Sequence, residues 1–232
     1  ASDSLGYGGS EAAFGQAAYW VSDTLDQHRG CCAAMECRGR VAHYDWREDH
    51  LPVWRSTQAP HSDKSILVHL LGLNENQVRV ITPDLGGGFG PKLILYPDEA
   101  AVAVAARMLG RPVKWIEDRR EHFLATTQER DQCWQVEMAL DKDGRILGLR
   151  GTLTHDQGAY TARGANIPFS SATTVLGPYV VPSYSMEVRV AHSNRVPVTS
   201  LRGAGHPQGA FTMERMLDLA ADRVANGRDE IR

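Results

Sequence analysis

The sequence predicts an α+β fold in which mixed sheets carry packed helices. Three observations lead there. Trp134, Val136, Met138 and Leu140 alternate with Gln135 and Glu137, the turn Asp141-Lys142-Asp143-Gly144 follows, and residues 145–155 run back as the second arm of a hairpin. Met213, Met216, Leu217, Ala220 and Val224 recur at helical spacing, with Glu214, Arg215, Asp218, Asp222 and Arg223 on the opposite face. Strand-like and helix-like stretches are interspersed without a fixed period, which argues against a repeat architecture.

Taken in order, residues 10–18 form a short helix with Ser10 as its cap, and residues 19–27 a strand. Residues 28–37 are irregular, residues 38–45 return as a strand, and residues 51–56 make a third that ends at Thr57-Gln58-Ala59-Pro60. The helix over residues 61–71 lines up Ile66, Leu70 and Leu73, and Gly72 closes it. A strand at 77–81 precedes a glycine-rich run, and a helix at 98–109 follows it. That helix offers Ala100, Ala101, Val104, Ala105, Met108 and Leu109 as a small-residue face to pack on a sheet. Gly110-Arg111-Pro112 stops it and residues 113–116 are a strand. Residues 118–122 read as a charged, helical, solvated face on which His122 is a satisfied surface residue, with a general base as the alternative. Residues 158–178 read as irregular, residues 184–190 as a strand, and Pro207 starts the last helix.

Composition narrows the function classes. With 232 residues, 42% hydrophobic and 23% charged, the chain has material for a substantial core. A net charge of −3 gives no support for a nucleic-acid or anionic-membrane surface. No apolar run is long enough to span a bilayer, and no basic-then-apolar leader opens the sequence. Four cysteines, with Cys31, Cys32 and Cys37 crowded together, do not form a secreted disulfide framework, so the expected compartment is the cytoplasm. Those three are expected to be small buried thiols; zinc held with His28 or His43 is the weaker reading, because no second C-x-x-C pair exists. The opening Ala1-Ser2-Asp3 without an initiator methionine and the stop at Arg232 lead to the expectation of a piece of a longer polypeptide.

Two loops carry the chemical interest. Thr82-Pro83-Asp84-Leu85-Gly86-Gly87-Gly88-Phe89-Gly90-Pro91-Lys92 lies between a strand and a helix, where backbone N–H groups converge on an anion. Its spacing fits neither the dinucleotide fingerprint nor the P-loop, so on spacing alone a tight structural turn is the simpler reading. Leu201-Arg202-Gly203-Ala204-Gly205-His206-Pro207-Gln208-Gly209 leads into the last helix, with Arg202 available either to an anion or to cap carbonyls. Gln58 sits at a strand end over the rim of a sheet, where an ordinary turn role is the alternative. The residues by themselves therefore indicate two loops suited to a phosphorylated or polyanionic ligand.

Trp54-Arg55-Ser56-Thr57-Gln58, the run from Pro83 to Lys92, Met35-Glu36-Cys37-Arg38-Gly39, Arg111-Pro112-Val113-Lys114-Trp115 with Glu117-Asp118-Arg119-Arg120-Glu121, and Leu201-Arg202-Gly203-Ala204-Gly205 occur together and in order. So arranged, they resemble the molybdopterin-binding large subunit of the xanthine dehydrogenase / aldehyde oxidase / carbon monoxide dehydrogenase family. The resemblance covers nearly the whole chain. It implies the first molybdopterin-binding domain over residues 10–232, with residues 1–9 as the exit from a preceding hammerhead domain.

Residue by residue, Gln58 matches the glutamine that hydrogen-bonds an oxygen ligand of molybdenum. Gly87, Gly88, Phe89 and Gly90 match the loop packed against the metal and its pterin, and Arg202, Gly203 and Ala204 the loop closing the other side. Gln58, Phe89 and Arg202 are thereby expected to line one hollow, with no direct metal ligand among them. The implied activity is molybdenum-dependent hydroxylation of an aldehyde or aromatic N-heterocycle, a small-molecule substrate, with water as the oxygen source. The implied cofactor is molybdopterin, expected in its cytosine dinucleotide form. The implied partners are the rest of the large subunit, an iron–sulfur subunit bearing 2Fe-2S clusters and a subunit bearing FAD. The family's catalytic glutamate lies further along the subunit, so no catalytic residue is assigned here and the piece alone is expected to be inactive. Leu93 stands where purine-oxidising members have a substrate-binding glutamate, and Ala204 where an aromatic stacks on flat substrates, which makes xanthine doubtful and the pocket roomier. The absence of cysteine from residues 201–208 gives no support to a copper-bearing site. Two alternatives remain: a non-catalytic relative that keeps the fold as a scaffold, and an unrelated phosphate-ligand binding domain.

Overall fold

The computed structural model describes residues 1–225 and 227–231. In chain order its principal elements are β1 (Ser2–Tyr7), α1 (Ser10–Gly15), β2 (Tyr19–Gln27), β3 (Gly39–Ala42), β4 (Leu51–Arg55), α2 (Pro60–Leu71), β5 (Val78–Ile81), α3 (Pro97–Leu109), β6 (Val113–Ile116), α4 (Arg119–Ala125), β7 (Gln132–Leu140), β8 (Ile146–Asp156), α5 (Ile167–Thr174), β9 (Tyr184–Ala191) and α6 (His206–Val224). The α+β expectation holds, with mixed sheets and packed helices. The chain divides into two compact units, Ala1–Gly30 with Gln128–Arg232, and Cys31–Thr127. Among the described residues no helix is long and apolar enough to cross a membrane.

The first unit is a five-stranded sheet in the order β1-β9-β8-β7-β2. Its pairs are antiparallel except β8 with β9, where Leu153 lies opposite Val188. Alternation puts Leu25, Trp134, Val136, Met138, Leu149, Leu153, Met186 and Val188 on one face, and Met213, Met216, Leu217 and Ala220 of α6 close over them. Burying each of these larger side chains contributes about 1.5–3 kcal/mol relative to exposure. Residues 2–7, read from sequence as an exit segment, are the edge strand β1 of this sheet. Ser10 does not cap α1: Gly9 holds that position without a side-chain bond, and Ser10 is the first helical residue. Within the stretch read as irregular, Ile167–Thr174 is the helix α5, its Ile167, Ser171 and Ala172 buried. Ser171, Thr173 and Thr174, poor helix formers in isolation, return their hydroxyls to carbonyls one turn back, as Ser171 does to Ile167 at 3.0 Å, so packing prevails over propensity.

The second unit is a four-stranded sheet in the order β5-β4-β3-β6, covered by α2 and α3. Ala42, Leu51, Val53, Leu67, Val78, Val102, Ala103 and Ala106 form its core. Here the helical faces differ from those the apolar spacing predicts. α2 buries Asp63 and Leu67, and α3 buries Glu99, Val102, Ala103 and Ala106. Ile66 and Leu70 are instead exposed, and with Ala100, Ala101, Val104 and Met108 they border a groove of about 660 Å³. The cause is electrostatic: three arginines, Arg38, Arg40 and Arg55, point into this unit and are fully buried, and acids on the helices turn inward to meet them.

Candidate functional site

Arg55 ends β4 beneath the glycine-rich loop. Its Nε donates to Glu99 Oε1 at 2.7 Å, and Nη1 donates both to Asp63 and to Thr57 Oγ1, the latter at 2.8 Å. Arg38 Nε donates to Glu117 Oε1 at 2.9 Å, and its two terminal nitrogens grip the Asp98 carboxylate at 3.0 and 2.9 Å. Fork-to-carboxylate pairs of this kind are directional, so they hold strand ends and helix starts in one register. Burial works to raise the Glu117 carboxyl, but His122 and Arg38 outweigh it and bring the group to about 2. Arg40 is less well served: Nη1 donates to Glu99 O, while Nε and Nη2 have no partner among the described residues.

On this base stands the loop. The Gln58 amide nitrogen of the main chain donates to Lys92 O at 3.0 Å, and Gly90 N donates to Gln58 Oε1 at 2.9 Å. A Cβ placed on Gly88 would come within 2.4 Å of Gln58 Cδ, so the bare backbone at 88 lies directly on the glutamine side chain. Phe89 has φ 55 and is 43% exposed. A non-glycine residue held left-handed costs about 1–2 kcal/mol, strain that tends to gather at functional sites. The loop does not open α3 as the spacing predicts. Gly90 instead leads into a single 3₁₀ turn, Pro91–Leu93, and α3 starts only at Pro97. Gln58, Gly87, Gly88, Phe89 and Gly90 are thus assembled in one place within this unit.

The second loop belongs to the other unit. Gly205 holds the N-cap position of α6, which starts at His206, one residue before the Pro207 that the sequence predicts as its first residue. Ala204 has φ 45 and its nitrogen donates to Leu201 O at 2.7 Å, a tight turn that leaves Arg202 and Gly203 exposed. A Cβ on Gly205 would meet Ser171 N at 2.8 Å, which seats the loop against α5.

Three readings change. His122 is not a surface histidine but 1% exposed, with Nδ1 2.8 Å from Glu117 Oε2 and Nε2 2.8 Å from Cys32 O. Asp118, capping α4 through Glu121 N, turns the histidine inward. Cys31 is exposed and Cys37 half-buried, so only Cys32 of the crowded three is a buried thiol. Among the described residues, neither His28 nor His43 joins a ligand cluster. The trio of possible ligands that converges among the described residues is Cys37, Glu117 and His122, whose ligand atoms lie within 4.8 Å of one another. Both imidazole nitrogens there already face protein oxygens. The residues that sequence reasoning missed are Glu36, Lys92 and the buried arginine–acid network. The spacing of Arg38, just before β3, and Arg40 within it was the available signal, but charge ordinarily marks the solvent side.

Residues 2–232 match the family model of the molybdopterin cofactor-binding domain. The chain is 36% identical over 230 residues to the nicotine 6-hydroxylase large subunit of Paenarthrobacter nicotinovorans, covering 97% of this chain and 28% of that protein. It is 34% identical over 227 residues to the carbon monoxide dehydrogenase large chain of Hydrogenophaga pseudoflava, covering 96% of this chain and 28% of that one. The crystal structure of quinoline 2-oxidoreductase from Pseudomonas putida 86 superimposes with a TM-score of 0.94 at 33% identity, over 100% of this chain and 30% of that one. The chain thus spans less than a third of the length of these relatives. With a family model matched over nearly every residue, the chain belongs to the molybdopterin cofactor-binding domain family.

Proposed function

We propose that this chain is the part of a molybdenum hydroxylase large subunit that supplies one share of the molybdopterin pocket, in an enzyme oxidising an aldehyde or an aromatic N-heterocycle. The observation that carries the reading is the Gly90-to-Gln58 bond at 2.9 Å. It commits the side-chain oxygen to the loop and leaves the amide NH₂ group as the donor available to an oxygen on the cofactor. The loop suits such a group: at Gly88 no side chain stands between the main chain and Gln58, and a Cβ there has no room. In this reading Gly87, Gly88, Phe89 and Gly90 bind the cofactor, and the resemblance assigns Arg202, Gly203 and Ala204 to cofactor binding as well; in their own unit these lead into a glycine-capped helix start whose N–H donors suit a phosphate. Bound, the cofactor supplies two-electron oxidation with water as the oxygen source. The chain's own residues orient it and exclude solvent.

The finer assignments rest on the family resemblance. They are a cytosine dinucleotide form of the pterin, 2Fe-2S and FAD on partner subunits, and residues 10–232 as a first molybdopterin-binding domain. Leu93 and Ala204 favour a substrate other than xanthine, and a loop 201–208 without cysteine favours a site without copper. The test is molybdenum and pterin analysis of the complete subunit with its partners, for wild type and Gln58→Ala, together with an activity assay on aldehydes and N-heterocycles. A loaded and active wild type whose Gln58→Ala variant turns over at least tenfold more slowly supports the reading, tenfold being about 1.4 kcal/mol of lost stabilisation. An unloaded wild-type subunit overturns it and favours a scaffold.

A further inference from the structure

The opening end of the glycine loop hangs on one carboxylate oxygen. Glu36 Oε2 accepts from the Gly86 amide at 2.9 Å, the Ser56 hydroxyl at 2.7 Å and the Lys92 ammonium at 2.7 Å. In return Glu36 N donates to Gly86 O at 3.1 Å, so the two residues are tied in both directions. They are also in close contact, since a Cβ on Gly86 would fall 2.5 Å from Glu36 Cβ. The Lys92 side chain is 1% exposed, and a buried ammonium is stable only beside a counter-charge. The same lysine's carbonyl accepts from Gln58 N at 3.0 Å and from Thr57 Oγ1 at 3.2 Å. Lys92 therefore grips Gln58 with its main chain and Glu36 with its side chain. Gly90 is held by Gln58 at one end of the loop, Gly86 by Glu36 at the other, and Lys92 joins the two anchors.

We infer that Glu36, acting through Lys92, is the positioning residue that sets the distance between the Gly86 end of the glycine loop and Gln58, and with it the shape that the loop offers to the cofactor. This rests on the reading that the loop carries the cofactor. No bond from Glu36 to any ligand is required: it acts on the loop by neutralising Lys92 and accepting the hydrogen bond of the Gly86 amide. A neutral side chain at 36 leaves Lys92 buried without its counter-charge, and the loop's first turn then opens to let water reach the ammonium. Around Glu36 the charged groups are Lys92 and, on α4, Arg119, which donates to the Ala34 and Met35 carbonyls.

The experiment is hydrogen exchange of the complete large subunit, read on a peptide spanning residues 84–92 and on residues 134–140 as control. Wild type, Glu36→Ala, Glu36→Gln and Lys92→Met are compared, with molybdenum content measured on the same samples. Glu36→Ala is expected to speed exchange in 84–92 by about tenfold, the value of one hydrogen bond to a charged acceptor, with the control unchanged. Glu36→Gln keeps an acceptor for Gly86 and Ser56 and is expected to recover part of that protection. Wild type is expected to lose protection, after correction for intrinsic exchange, as pH falls through the Glu36 titration, a step that Glu36→Gln lacks. Burial opposes the ionised form, but Lys92, Ser56 and Gly86 together hold this carboxyl below its ordinary value. Wild-type exchange in Glu36→Ala, acceleration shared equally by 134–140, or a pH step persisting in Glu36→Gln overturns the proposal; the last holds even if Glu36→Ala does not fold. A Glu36→Ala subunit carrying as much molybdenum as a loaded wild type also overturns it. If wild type itself carries no molybdenum, the cofactor reading fails while the exchange data still decide on Glu36.

Discussion

Gly90 donates its amide proton to the side-chain oxygen of Gln58 across 2.9 Å, although the two residues lie 32 positions apart in the chain. That contact orients an exposed glutamine which would otherwise rotate freely. It also makes the neighbouring Gly88 a position where any side chain competes for the same space.

Gly88→Ala is therefore expected to displace Gln58, because the new methyl falls 2.4–2.5 Å from Gln58 Cδ, Cγ and Oε1. Overpacking of this kind costs about 1–3 kcal/mol. Gly110→Ala serves as the control: it has φ 59 but nothing within 4 Å, so it destabilises without touching the loop. Molybdenum content of the complete subunit should fall further in Gly88→Ala than in Gly110→Ala at matched thermal stability. Equal losses would remove Gln58 from the cofactor site.

Two buried arginines should behave in opposite ways. Arg55→Met strands the Glu99 and Asp63 carboxylates, both fully buried, and is expected to cost about 3–5 kcal/mol in urea denaturation. Arg40→Met removes a guanidinium two of whose nitrogens have no partner among the described residues, and should stay within about 1 kcal/mol of wild type.

Acid should weaken the protein in two steps. Burial drives the His155 imidazole from 6.5 down to about 4. A group whose folded value lies below its unfolded one lends stability above the unfolded value and loses it as pH falls through the folded value, so His155 acts between 6.5 and about 4. Glu117, lowered from 4.5 to about 2, acts between those values by the same sign. His155→Leu should flatten the first step, worth up to about 3 kcal/mol. Glu117→Gln should flatten the second. Stability measured against pH by urea titration decides both, and an unchanged first step in His155→Leu would assign it elsewhere.

Adjacent residues of the second loop should respond with opposite signs. Ala204 sits at φ 45, so Ala204→Gly is expected to stabilise by about 1 kcal/mol. Gly203 has φ 97, and a Cβ there would meet the Pro207 ring at 2.6 Å, so Gly203→Ala is expected to destabilise by more than that. Melting temperatures of the two variants check the pair.

Periodicity determined the β7–β8 hairpin and the buried stripe of α6, because in these elements apolar and polar residues do separate the core from water. The strands from Tyr19 to Gln27 and from Val113 to Ile116 were legible as well, although Trp20 and Ile116 face solvent. The motifs likewise determined the family, and with it the expectation that Gln58 and both glycine loops serve one cofactor.

Only the tertiary structure decided which faces of α2 and α3 are buried, that His122 lies inside, and that Glu36 and Lys92 hold the glycine loop. The reason is physical. Charged residues are read as solvent-facing because an isolated buried charge is prohibitively costly, yet that cost is offset when arginines and acids from distant segments meet. Such meetings pair Arg38 with Glu117 and Arg55 with Glu99, 79 and 44 positions apart, separations at which no local pattern carries a trace of the partner.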